Sequence, residues 1–162
     1  MSKLTLMSGI PGSGKSTWLK DHINPSDVIV SRDAIRFSLL GPDDDYFAKE
    51  NQVFKMYIAQ INQALNEGHD VYADATHLNR ASRNKLLSNI SSKELDEIGV
   101  IFMNTSLETA LERNDLREGL AFVSKGQIKR MFYSIQEPDL EEGFNFIVKV
   151  NEDGSLKGKM AP

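Results

Sequence analysis

The 162-residue sequence contains no cysteine, which excludes disulfides, thiolate metal sites and cysteine nucleophiles from its chemistry. Its three histidines, His22, His69 and His77, are too scattered to suggest a metal-binding trio. No uninterrupted apolar run approaches the length that crosses a bilayer. The N-terminal MSKLTLMSGI lacks the charged head, long apolar stretch and small-residue cleavage site of a secretory signal. The expectation is a cytoplasmic protein with no membrane partner. A surplus of positive charge is also missing, with 19 Lys and Arg against 23 Asp and Glu for a net charge of −4. That argues against a general basic surface gripping nucleic acid, so any polynucleotide must be held locally.

The chain is long enough for one good hydrophobic core and too short for two ordinary domains, with 40% apolar residues. One domain over residues 1–150 is expected, followed by a C-terminal turn and loosely held tail at 151–162. Strand-like and helical segments alternate throughout, the pattern of a parallel sheet covered by helices on both faces. The strands are placed at Leu4–Ser8, Val28–Ser31, Val71–Ala75, Val100–Asn104 and Phe144–Val150. Between the second and third, Phe47, Phe54, Ile58, Ile61 and Leu65 recur at helical spacing up to a stop at Gly68. That stripe is read as core, as is Trp18. The run Gly41-Pro42-Asp43-Asp44-Asp45 reads as a solvated loop leading into this helix.

Gly9-Ile10-Pro11-Gly12-Ser13-Gly14-Lys15-Ser16 fits G-x-x-x-x-G-K-[ST], after the first strand and opening into a helix. Glycines let the backbone wrap phosphates with N–H groups inward, and the helix N-terminus adds a favourable dipole. Gly9, Pro11, Gly12, Ser13, Gly14, Lys15, Ser16 and Thr17 are therefore the donor-binding residues. Lys15 is expected to reach the β- and γ-phosphates of ATP, and Ser16 to give its hydroxyl to Mg²⁺. The expected fold class is α/β, a P-loop NTPase three-layer sandwich with a mostly parallel central sheet; the motif alone indicates a nucleotide, which GTPases and motor ATPases also bind, and the kinase type with a helical lid rests on the residues that follow.

The second strand runs into Ser31-Arg32-Asp33-Ala34-Ile35-Arg36. Ligands of open parallel sheets bind beyond the carboxyl ends of strands, which sets Asp33 beside the phosphates as a candidate base for an acceptor hydroxyl. The same residue type also caps helix N-termini. Arg36, three residues on, fits either a clamp on an acceptor phosphate or an ion pair with Asp33. The third strand ends at Asp74, the position from which a carboxylate holds a metal's water shell. A phosphatase signature there would need aspartate at residue 72, which is Tyr72. The helix from Leu107 carries Arg113 and Arg117 and precedes another near Ser124. Such a pair of helices can close as a lid that brings cations to the transferring phosphoryl group. It can equally be a solvated face on which the arginines pair with Glu112, Asp115 or Glu118. His77, close behind Asp74, fits ordinary hydrogen bonding better than a role in the site.

Taken together these residues resemble the kinase domain of phage and bacterial polynucleotide 5′-kinases, from about Lys3 to Val150. The markers are the phosphate loop through Trp18, Arg32-Asp33-x-x-Arg36, Asp74-Ala75-Thr76-x-x-Asn79 with Arg83, Glu112-Arg113-Asn114-x-x-Arg117, and the segment Ile128 to Phe132. The resemblance implies that Asp33 is the general base, that Arg36 contacts a 3′-phosphate of the end being modified, and that Arg113 and Arg117 are lid arginines on the donor. It adds Arg32, Thr76 and Arg83 to the acceptor side. The expected partners are a DNA or RNA 5′-hydroxyl end and a nucleoside triphosphate, with Mg²⁺ bound through Ser16 and, by way of a water, Asp74. The local basic set Arg32, Arg36, Arg80, Arg83 and Lys85 suits a short or single-stranded end. The rival readings are a small-molecule or nucleotide-sugar kinase of the same fold and a nucleotide-dependent binding module. DNA against RNA, the preferred triphosphate and self-association into a homo-oligomer stay open.

Overall fold

A computed structural model describes residues 2–119 and 122–162. The element order is β1 (Ser2–Ser8), α1 (Lys15–His22), β2 (Val28–Ser31), α2 (Arg32–Leu39), α3 (Glu50–Asn66), β3 (Val71–Asp74), α4 (Arg80–Leu87), β4 (Leu95–Asn104), α5 (Leu107–Asp115), α6 (Lys125–Tyr133), β5 (Phe146–Asn151) and β6 (Leu156–Met160). The strands form one sheet in the order β2-β3-β1-β4-β5-β6, parallel except for the last pair. Because β1 is covered on both faces, nearly every residue in it is buried, and it reads as a continuous run rather than an alternation. Its alternating side chains still serve two cores. Leu4 and Leu6 join Val71, Ala73 and Val100 against α3 and α4, through Val53, Tyr57, Ile61, Leu65 and Leu86. Met7 joins Tyr72, Ile101 and Met103 on the opposite face, against Leu19 and Trp18 of α1. The result is an α/β three-layer sandwich.

Two expectations shift. The buried stripe of α3 is Val53, Tyr57, Ile61, Ala64 and Leu65, with Phe54 and Ile58 half-buried beside it. Both stripes have helical spacing, and the sheet selects the one with Tyr57. Phe47 precedes the helix and is 46% exposed. The segment from Asn151 makes its turn and then returns as β6, antiparallel to β5, instead of trailing as a tail. Its side chains are all exposed, so apolar content could not announce it. Backbone pairing along the open edge of β5 holds it.

Past β3 the chain is fixed by buried polar groups. His77 adopts φ 43°, and its Nδ1 lies 2.6 Å from the Met7 carbonyl while Nε2 faces the Tyr57 hydroxyl at 3.3 Å. Burial, with Arg32, Lys15 and Arg83 nearby, pushes this imidazole down to about 4, against the Met7 bond that favours the cation. It is thus neutral at physiological pH, donating from Nδ1 and accepting at Nε2. Arg83, fully buried, donates to Glu142 through Nε at 2.8 Å and Nη2 at 3.0 Å, and to the carbonyls of His77 and Gln136. On α4 it points inward with Leu86, one turn on. Removing one partner of such a pair strands the other. Glu142→Ala should cost about 3–5 kcal/mol in urea unfolding, and Arg83→Met/Glu142→Ala less than the sum of the single changes. Simple additivity would mean that the pair is not coupled.

Candidate active site

The carboxyl ends of β1, β2 and β3 lie level, since Ser31 and Met7 both pair with Asp74. Beyond them opens a cavity of about 650 Å³ lined by residues 11–17, Arg32, Asp33, Arg36, Asp74, Thr76, Arg113 and Arg117. Every predicted site residue stands in this wall except Gly9, which begins the loop, and Arg83, whose donors are spent inside the fold. Phe37, Tyr46, Phe47 and Glu50 also stand in the lining. None of these four was singled out as a site residue in the sequence, because aromatic and acidic residues in and beside a loop carry no motif.

The phosphate loop is clamped from several sides. Thr105 Oγ1 donates to the Ser13 carbonyl at 2.9 Å, and the Gly9 amide donates to the Thr76 carbonyl at 2.9 Å. Gly12 has φ 82°, and a Cβ there would lie 2.6 Å from the Ala110 carbonyl oxygen. Only glycine admits both that backbone and the close approach of α5. Lys15 Nζ donates to the carbonyls of Gly9 (2.7 Å) and Ile10 (3.1 Å). Burial draws its pKa down to about 8, while Asp74 and Asp33 pull upward. Asp74 is half-buried, and desolvation raises its carboxyl despite the Lys15 cation. Among the described residues neither the Asp74 carboxylate nor the Ser16 hydroxyl has a hydrogen-bond partner. Two uncommitted oxygen donors in one wall suit a hard cation such as Mg²⁺ shared with phosphates.

Asp33 does not cap α2. Ser31 does, accepting from the Ala34 amide at 3.1 Å, which leaves the Asp33 carboxylate at the cavity. Asp33 Oδ1 accepts from Arg36 Nη1 and from the Tyr46 hydroxyl, the latter at 2.6 Å. Arg36 is buried and spends every donor within this group. Nε and Nη2 reach Glu50 at 2.8–3.2 Å, and Nη1 bonds Asp33 and, at 2.9 Å, Tyr46. The ion-pair alternative for Arg36 is therefore realised, and a phosphate could reach this guanidinium only by exchanging with one of these partners. Burial, and the Asp33 charge beside it, hold the Tyr46 phenol well above its ordinary value.

The two lid arginines differ. α5 ends at Asp115, short of Arg117, so the pair does not share a helix face. Arg113 Nη2 donates to the Glu152 carbonyl at 2.8 Å and Nη1 to the Gly12 carbonyl at 3.3 Å, tying the lid to the phosphate loop. The Arg117 guanidinium lines the cavity with no hydrogen-bond partner among the described residues, although its amide donates to the Asn114 carbonyl at 2.9 Å, and neither arginine pairs with Glu112, Asp115 or Glu118. Asn114, fully buried, bonds the Val123 carbonyl at 2.6 Å and amide at 3.0 Å. This clasp closes the lid loop on itself, and its sequence marker alone did not assign it a task.

A family model described as an AAA domain matches residues 4–138. The chain belongs to this family. It is a P-loop kinase, and its sequence and structure are similar to known polynucleotide kinase proteins. Over 144 residues it is 30% identical to a protein of Autographa californica nuclear polyhedrosis virus assigned as a bifunctional polynucleotide kinase/RNA ligase. That match covers 80% of this chain and 20% of the viral protein, so the chain spans about one fifth of its relative. A chain of the Pnkp1/Rnl/Hen1 RNA repair complex superposes with TM-score 0.68 at 25% identity, over 82% of this chain and 43% of that one. A sugar kinase of Janibacter sp. HTCC2649 superposes with TM-score 0.67 at 13% identity, over 96% of this chain and 88% of that one, a likeness of fold alone.

Two consequences of this geometry are measurable. Tyr46→Phe removes a hydroxyl that serves both Asp33 and Arg36. It should lower stability by about 1–3 kcal/mol and speed amide exchange over residues 41–49. Unchanged stability and exchange would show that the hydroxyl holds nothing. Lys15 must be cationic to hold phosphates, so ATP affinity should fall as pH rises above about 8. Bound phosphates restore the proton, so calorimetry in buffers of different ionisation enthalpy should register proton uptake in that range. A flat affinity with no uptake would place the Lys15 titration elsewhere.

Proposed function

We propose that the chain transfers the γ-phosphoryl group of ATP to the 5′-hydroxyl end of a DNA or RNA strand. The observation that carries the acceptor assignment is the 30% identity to the viral protein assigned as a polynucleotide kinase/RNA ligase. The arrangement of the cavity agrees with it, since the carboxylate of Asp33 shares one wall system with the phosphate loop. A second reading, a small-molecule acceptor, is supported by the sugar kinase that superposes over 88% of its own length.

In this mechanism the phosphate-loop amides and Lys15 hold the β- and γ-phosphates, and Ser16 and Asp74 would hold Mg²⁺, which supplies charge neutralisation when bound. Arg117, uncommitted, offers its guanidinium to the oxygens on which charge spreads. Arg113 fixes the lid at the loop carbonyl of Gly12. Asp33 accepts the proton of the attacking hydroxyl as the new P–O bond forms and the bond to the leaving diphosphate breaks. Arg36 and Tyr46, both bonded to Oδ1, leave Oδ2 for that hydroxyl. Arg32 and Thr76 stand on the acceptor side of the wall.

The test is transfer of labelled γ-phosphate from ATP to 5′-hydroxyl DNA and RNA oligomers, with a 5′-phosphorylated oligomer and a panel of sugars as competitors for the assignment. Label should enter only the 5′-hydroxyl strands. Asp33→Asn should bind ATP as wild type does and lose turnover by on the order of 10²–10⁴-fold. Label on a sugar and on no oligomer would hand the site to the second reading.

A further inference from the structure

The acidic residues that give the chain its negative charge avoid one face. No Asp or Glu occurs in 51–66, the body of α3, or in 75–93, which contains α4. Those stretches carry Lys55, Arg80, Arg83, Lys85 and Lys93. α3 and α4 lie side by side, since Asn62 bonds the Asn89 carbonyl at 3.1 Å and the Ser91 amide at 2.9 Å. Lys55, two turns before Asn62, is on that same side of α3. Two carboxylates bordering this face are paired, Glu50 with Arg32 and Arg36, and Glu142 with the buried Arg83.

Phe54 brings two of the cations together. The Arg32 guanidinium lies 5.3 Å and the Lys85 ammonium 4.4 Å from its ring centroid. Arg32 lines the cavity next to Asp33, so one half-buried ring links the cavity to α4. Among the described residues Arg32 hydrogen-bonds only Glu50, at 2.5 Å, and its Nε is enclosed with no partner. Cations held against an aromatic face are ordered before a ligand arrives, so less entropy is lost on binding.

We infer that the α3–α4 face is a track for the strand that continues 3′ from the accepting nucleotide. Arg32 is its first cation and Lys85, with Lys55, the next. The ligand is a single-stranded polynucleotide, RNA or DNA, held through its phosphates, since what the face presents is positive charge. This inference rests on the polynucleotide reading of the acceptor. It also accounts for how a chain of net charge −4 holds a polyanion.

The test compares two acceptors, a nucleoside 3′-phosphate and a 5′-hydroxyl single strand of roughly ten nucleotides as RNA and as DNA. Wild type and Lys55→Gln/Lys85→Gln are assayed over a range of salt. Wild type should show a lower KM for the strand than for the nucleotide. In the variant the strand's KM should rise about fivefold or more at low salt, with kcat unchanged. The slope of log KM against log salt should fall by about 1.4, or about 0.7 per lysine removed. Both parameters for the nucleoside 3′-phosphate should stay at wild-type values, which also shows that the variant is folded. Equal KM for strand and nucleotide in wild type, or an unmoved strand KM in the variant, overturns the track and leaves the kinase reading intact. Failure of wild type to modify either acceptor overturns the polynucleotide reading, and the track with it.

Discussion

The site hangs from the carboxyl end of β1. Parallel pairing of Met7 with Asp74, and of Asp74 with Ser31, brings three strand ends to one level. The phosphate loop, the metal-side carboxylate and the start of α2 then necessarily surround one space. The register holds because β1 is buried on both faces, so a one-residue slip would exchange Leu4 and Leu6 with Thr5 and Met7 across the sheet. His77 reinforces it by bonding the Met7 carbonyl at the last turn before the loop. That bond by itself favours the cation, but burial keeps the imidazole neutral, so that Nε2 can accept from the Tyr57 hydroxyl.

At the far side of the cavity, charge is arranged by pairing rather than by exposure. Arg36 is buried with every donor used, and Glu50 answers both Arg36 and Arg32. A buried cation so satisfied contributes little to stability beyond its own desolvation cost, but it fixes the carboxylate opposite. Asp33 therefore keeps one oxygen engaged and one at the cavity without relying on its own rotamer preference. The lid follows the opposite plan. Arg113 is committed to carbonyls of the loop and of the β5–β6 turn, whereas the Arg117 guanidinium is left uncommitted in the cavity wall. One arginine anchors and the other stays available, a division that their common residue type conceals.

Much of this was legible because the motif residues are constrained by backbone rather than by distant partners. The phosphate loop, the strand ends at Ser31 and Asp74 and the lid helix from Leu107 follow from local pattern and from sheet topology. Three things were not legible, each for a tertiary reason. Arg83 looked like an acceptor residue, but Glu142, far along the chain, claims it. Tyr46 and Glu50 enter the site only because the loop before α3 folds back over α2. β6 is built by hydrogen bonds along an open edge, which leave no apolar signature in the sequence.

The average charge does not say where the charges lie. A net value of −4 describes the field far from the molecule, where screening erases it beyond about a Debye length of 10 Å. A strand on the surface responds instead to the charges within that distance. Acidic residues concentrate in the loop at 43–45, around the start of β4, along α5 and in 137–142, while the faces of α3 and α4 carry none within 51–66 and 75–93. Segregation lets an acidic protein present a cationic surface without a basic composition. It also confines the cationic surface to the α3 and α4 side, which Arg32, in the cavity wall and against Phe54, joins to the cavity as the proposed track requires.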